Sequence, residues 1–143
     1  MKHIRRAIAL SGLLVLLTFS AALGQSERQT VYIPFAFSVG EKAFAAGNYS
    51  IERTRKDSET AWIIRQKDTG EATVFLTRSV RANETPEQTR LVFHRYDDLY
   101  FLSEFWSAGN NGGRQVQITN RERAIEKALA EQRQDVILTG RGQ

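Results

Sequence analysis

From Val31 onward the apolar residues of this chain mostly recur at every second position, and that period commits it to strands. Val31, Ile33, Phe35, Phe37 and Val39 alternate with Tyr32, Pro34, Ala36 and Ser38, so one face of an extended segment is strongly apolar. Pro34 has no N–H to give to a ladder, which predicts a strand at a sheet edge or one carrying a bulge. Gly40-Glu41 and Ala46-Gly47-Asn48 then turn the chain into Tyr49-Ser50-Ile51-Glu52-Arg53-Thr54.

Further strands are expected over 60–66, 71–78 and 89–96, each bounded by turn-forming residues. Lys67-Asp68-Thr69-Gly70 suits a hairpin turn, and 79–88, with Asn83, Glu84, Pro86 and Glu87, suits an exposed loop. Asp97-Asp98 separates 91–96 from 99–106 as a second hairpin, and Gly109-Asn110-Asn111-Gly112-Gly113 precedes a short strand over 114–118. Thr119 followed by Glu122 has the form of a capping box, predicting a helix near 120–133 in which Ile125, Ala128 and Leu129 do most of the burial. Val136 to Thr139 closes the domain as an edge strand, and Arg141-Gly142-Gln143 is expected to be loose. The expected fold is all-β with one C-terminal helix, an antiparallel meander forming a small barrel or sandwich of about seven or eight strands.

Ahead of this domain, residues 1–24 read as a cleavable export signal. Lys2, Arg5 and Arg6 give a basic start, Ala7 to Phe19 an apolar run, and Ala22-Leu23-Gly24 a small-x-small site, placing cleavage between Gly24 and Gln25. The run is shorter than the ~20 residues of a membrane-spanning helix, so no stable transmembrane anchor is expected after cleavage. Arg5-Arg6 lacks the preceding serine or threonine of a twin-arginine signal, which favours unfolded export to a periplasmic or secreted location. Residues 25–143 then form a single β-rich domain whose 119 residues can bury about two thirds of their unfolded surface. With no cysteine in the chain, that core has to hold without disulfides.

The leader also alters the meaning of charge. The whole chain carries +4, but three of its basic residues and none of its acids lie before Gly24, so the remainder carries +1. The support for a nucleic-acid partner goes with the leader.

Pro34-Phe35-Ala36-Phe37-Ser38-Val39-Gly40 and Ala46-Gly47-Asn48-Tyr49-Ser50-Ile51 resemble the opening of an uncharacterised family of small exported bacterial proteins. Its pattern runs Pro-Phe-x-Phe-x-Val-Gly, then Pro-Ala-Gly-x-Tyr. Leu91-Val92-Phe93-His94-Arg95-Tyr96, the 100–106 segment and Arg121-Glu122-Arg123 resemble the same group. Ala45 departs from the pattern, standing where it has proline. The resemblance implies a β-rich exported domain and carries no reaction with it.

Candidate chemistry is sparse. His94 is the single histidine after the leader, so neither a histidine-based metal site nor a thiol nucleophile is expected, and no cofactor. A Ser-His-Asp triad is formally available from His94, Ser103 and Asp97 or Asp98, without a Gly-x-Ser-x-Gly elbow. Asp97, Asp98 and Glu104 are the carboxylates a carbohydrate-active enzyme would draw on, although Asp97-Asp98 is already explained as a turn. Asp97-Asp98 and Asn110-Asn111 lack the spacing of a calcium loop, and the glycine-rich run lacks the lysine of a P-loop.

The aromatic residues of the second hairpin are the remaining candidates. His94, Tyr96, Tyr100, Phe105 and Trp106 are the candidate ligand-binding set, because both faces of 99–106 carry large rings. One face belongs to the core; the other is covered by an element such as the helix, lines a cavity or forms a patch. The functional expectation is a non-catalytic exported module that binds or scaffolds in the envelope, its partner an envelope protein, a glycan or a small apolar molecule. A carrier of a small apolar ligand in a barrel pocket is the alternative, and a carbohydrate-active enzyme the further one.

Overall fold

Pro34 decides how the domain begins. In the computed structural model, which describes residues 28–140, β1 (Gln29–Ile33) stops at the residue before Pro34 and β2 (Phe37–Val39) starts after it. The single strand expected over 31–39 is therefore two. Without an N–H at Pro34 the ladder cannot continue, and the two halves pair with different neighbours. The expected leader Met1–Gly24, its cleavage site at Gly24 and Gln25, and the 141–143 tail lie outside the described residues.

After β2 come β3 (Lys42–Phe44), β4 (Gly47–Arg53), β5 (Ala61–Gln66), β6 (Ala72–Arg81), β7 (Thr89–Tyr96), β8 (Leu99–Trp106) and β9 (Gly112–Val116). The helix α1 (Asn120–Leu129), a 3₁₀ turn Ala130–Gln132 and β10 (Arg133–Gly140) complete the chain. The all-β class with one C-terminal helix is what forms, as one mixed sheet of ten strands that is not closed into a barrel. Ten strands replace the expected seven or eight, because Pro34 splits one and Lys42–Phe44 adds a short hairpin arm. β6 runs three residues past the expected Arg78, which shortens the polar loop. β9 starts two residues earlier than expected, inside the glycine run.

The main ladder order is β1-β4-β5-β6-β9-β8, with β7 paired to β8 and β10 to β7. All ladders are antiparallel except β2–β8, which meet in parallel at Ser38 and Phe101. The order departs from a strict meander at β1–β4, β6–β9, β7–β10 and β2–β8. β1 and β10 end the path in contact with each other, Gly140 packing toward Val31, and no ladder joins them.

Inward-facing residues fill the interior. Ile33, Tyr49, Ile51, Ile64, Leu91, Phe93 and Phe105 are fully or almost fully buried, each such apolar side chain being worth about 1.5–3 kcal/mol. Phe37 sets its ring edge-to-face against Tyr49 at 5.0 Å and Phe93 at 5.6 Å, the arrangement that aromatic quadrupoles favour.

The outer face of β7 and β8 is covered by α1. Thr119 caps the helix, its Oγ1 accepting from the Glu122 N–H at 3.2 Å. Contrary to the expected stripe, Ala128 is exposed, Ile125 and Leu129 are half-buried, and the buried residue of the helix is Glu122. The helix is seated on a carboxylate.

Candidate functional site

Two places gather polar side chains, one beneath the helix and one at the end of the sheet. Beneath the helix, His94 on β7 and Ser103 on β8 point outward from adjacent antiparallel strands and are buried by α1. Ser103 Oγ lies 2.9 Å from His94 Nε2, and His94 Nδ1 lies 2.9 Å from Glu122 Oε1. Arg133, at the start of β10, brings Nη2 to 3.0 Å of the same Nε2 and gives Nη1 to Glu126 Oε1 at 3.0 Å.

A guanidinium has no acceptor, so its approach requires a lone pair on Nε2. The proton of the imidazole then sits on Nδ1 and is donated to Glu122, while the Ser103 hydroxyl also donates to Nε2. This is the order of bonds in a Ser-His-acid triad, with Glu122 in the place expected for Asp97 or Asp98. Both aspartates are instead exposed in the β7–β8 turn, where Asp97 adopts φ 56°, a conformation that short polar side chains tolerate. Ser103, His94 and Glu122 are exposed by 5, 7 and 6 %. The lone pair that would take a nucleophile's proton is shared with Arg133.

Tyr96 lies beside this chain, its ring 6.3 Å from His94. Its hydroxyl is buried without a hydrogen-bond partner among the described residues. Loss of hydration first, and the nearby Glu122 and Glu126 second, push its pKa up to about 12. Tyr49 is raised in the same direction by burial, with Glu71 adding to it.

The second place is the mouth of the sheet. Arg53 stands opposite Trp62, Ser79 opposite Arg114, and Phe105 opposite Arg114; directly opposed residues share a face, so all five face inward at one end. They line a cavity of about 210 Å³ together with Gln29, Arg81, Ser107 and Asn110. Trp62 meets Phe105 edge-to-face at 4.8 Å and forms the floor. The guanidinium centres of Arg53 and Arg114 lie 5.5 and 5.7 Å from the Trp62 ring. Arg114 Nη1 also donates to Ser79 Oγ at 2.7 Å.

Stacking on an indole holds a guanidinium by its face. Gln29 Nε2 donates to Ser107 Oγ, whereas Gln29 Oε1 is buried with no partner among the described residues. Among the described residues the wall carries three arginines, Arg53, Arg81 and Arg114, and no carboxylate.

The candidate ligand-binding set is dispersed. His94 and Tyr96 lie under the helix; Tyr100 stacks on Phe35 at 4.0 Å; Phe105 alone reaches the mouth. Trp106 is buried at 5 %, against Gly113 and beneath Arg90. A Cβ on Gly113 would come within 2.3 Å of the Trp106 ring. Glu104 accepts from Trp106 Nε1 at 3.1 Å, and stands six residues along β8 from Asp98, roughly 20 Å of extended chain. Among the described residues no three His, Cys, Asp or Glu side chains form a metal-sized group, and no helix is long and apolar enough to cross a membrane.

The arginines of the mouth were missed in the sequence because they belong to three strands separated by up to 61 positions. The signal available was a positive charge at an inward position of the period-two pattern, Arg53 after Tyr49 and Ile51. The capping-box spacing accounts for Glu122 by itself, and no local spacing relates it to His94. Comparison with protein-family models, with curated proteins and with solved structures finds no match to this chain.

Proposed function

We propose that this protein is an exported, non-catalytic binding module of the cell envelope, periplasmic or secreted, and that the mouth is its working surface. The carrying observation is the cavity itself, whose wall sets Arg81 and Arg114 beside Trp62, Ser79, Ser107 and Asn110 and carries no carboxylate among the described residues. Such a wall attracts a ligand and lacks a nucleophile with its base.

The Ser103-His94-Glu122 chain supports this reading from the other side, since its reactive groups are enclosed and its Nε2 is occupied by Arg133. An apolar cargo has less to recommend it, because Phe37, Tyr49 and Phe93 fill the interior that it would need. The separation of Glu104 from Asp97 and Asp98 gives a glycosidase no pair across a cleft. The leader over 1–24 and the resemblance to small exported bacterial proteins support the envelope location.

A photo-crosslinking residue at Asn111, on the rim, tests this in intact cells against the same residue at Asp68, in the turn at the far end of β5. The expected outcome is one recurrent adduct from position 111 and none from 68. Adducts of scattered mass from both positions would overturn the proposal.

A further inference from the structure

We infer that the uncovered outer face of β5 and β6 rests on an anionic lipid surface, a contact separate from the mouth. The helix covers the outer face over β7 and β8, while the sheet continues past it through β9 to β6 and β5. In the β5–β6 ladder Ala61 stands opposite Leu76 and Ile63 opposite Val74, and directly opposed residues share a face. Trp62 and Phe75, which alternate with them, are buried in the core, so these four side chains point away from it. Val74 and Leu76 are exposed by 57 and 50 %, with Ala61 and Ile63 half-buried beside them. Single exposed apolar residues are ordinary on a protein surface; four sharing one face make a patch.

Charge indicates what covers the patch. Arg78 follows Leu76 on the same face of β6, about 7 Å further along the strand, and lines an open groove of about 440 Å³ with Val116, Arg123 and the exposed Ile118. Arg65, opposite Ala72, closes the other end of the apolar row. Arg78 donates through Nε to Gln115, Arg123 through Nη1 to Asn120 and Arg65 through Nη1 to the Gly70 carbonyl. All three are exposed, and none is ion-paired among the described residues.

The surrounding acids are mostly taken. Glu52, opposite Ile63, holds Arg28 at 2.8 Å, Glu71 holds Lys42 at 3.1 Å, and Asp57 holds Arg55 at 3.1 Å. Glu59 and Asp68, in the loop before β5 and the turn after it, stand against Lys56, Lys67 and the three arginines, so the face keeps a positive excess. A bilayer with anionic headgroups offers both layers that this arrangement matches, acyl chains for Val74 and Leu76 and phosphates for the guanidiniums. Arginine stems are apolar and long enough to bridge the two. A protein partner would have to place acids at both ends of the row at a fixed spacing, whereas mobile headgroups gather wherever the cations fall.

The chain has no cysteine, so a single introduced thiol can carry a polarity-sensitive nitrobenzoxadiazole label. Leu76→Cys reports on the face, and Ile137→Cys, on β10 and 55 % exposed, reports on an apolar position elsewhere. Each labelled protein, processed at its leader, is mixed at low salt with phosphatidylcholine vesicles with or without phosphatidylglycerol. Co-sedimentation should be at least about tenfold stronger on the anionic vesicles, with a blue shift at position 76 and none at 137. Arg78→Gln and Arg123→Gln should each weaken binding to anionic vesicles by about fivefold, and Val74→Ser combined with Leu76→Ser by at least about tenfold. Arg95→Gln, in the distant β7–β8 hairpin, removes the same unit of charge and should stay within about twofold. Circular dichroism confirms the fold of each variant, and the exposure of all these positions except the partly buried Arg95 favours it.

Absence of co-sedimentation, equal binding to both kinds of vesicle, equal shifts at 76 and 137, or undiminished binding in the serine or arginine variants of the face would each overturn the inference. So would a concentration-dependent blue shift at position 76 without vesicles, which would assign the face to a second copy of the chain. The crosslink at position 111 reports on the mouth and stands or fails separately.

Discussion

The space beneath α1 and the mouth of the sheet draw on the same kinds of side chain and use them in opposite ways. Under the helix, Glu122, His94 and Ser103 spend their polar atoms on one another in a buried space, which Arg133 reaches from the surface. At the mouth, Arg81 and Arg114 line an open cavity, and their apolar neighbours, Trp62 and Phe105, are buried. A closed polar network fixes the position of an element, because every unmade bond inside it is costly. An open one can exchange its water for a ligand at little cost to the fold. The difference separates a part that holds from a part that can bind.

Removing Glu122 tests the first half most severely. Glu122→Ala leaves the buried His94 Nδ1–H without its acceptor, and should destabilise the protein by about 2 kcal/mol in denaturant titration; a loss under about 1 kcal/mol would show that the network does not seat the helix. Tyr96→Phe should do far less and in the other direction. It removes a buried hydroxyl that has no partner, so stability at pH 7 should be unchanged or rise by up to about 1 kcal/mol.

The same variant sharpens the pH behaviour. The folded pKa of Tyr96 is raised above the ordinary tyrosine value of 10, to about 12, so the folded state keeps the proton that the unfolded state releases. Its full stability is present below pH 10 and is lost as pH rises from there toward 12. Melting curves across that window should fall less steeply in Tyr96→Phe. Smallest of all, Arg81→Gln at the mouth should shift stability by no more than about 0.5 kcal/mol. A larger loss by thermal melting would mean that the mouth, too, holds the fold.

The strands were legible because their period is local. Thr89–Tyr96 and Leu99–Trp106 coincide with the expected segments, since Asp97-Asp98 satisfies a tight turn using only its own residues. Pro34 was legible as an obstacle to a ladder, but which neighbours its two sides would choose depends on β4 and β8, far along the chain. The helix was legible from Thr119 and Glu122, and its seating was not. A capping-box glutamate ordinarily turns back to its own helix, whereas this one reaches a histidine 28 positions away. The mouth was the least legible part, because inward-facing arginines are unfavourable until an open end supplies water, and strand periodicity does not say where a sheet ends.

The parallel meeting of β2 with β8 has a temporal side. Ser38 emerges early in synthesis and its partner Phe101 sixty-three residues later; β7 likewise waits for β10 at the very end of the domain. Pairings of such long range pay for loop closure before they return any contact energy, and they slow the search for the native state. Completion of this fold is therefore deferred until almost the whole chain has left the ribosome.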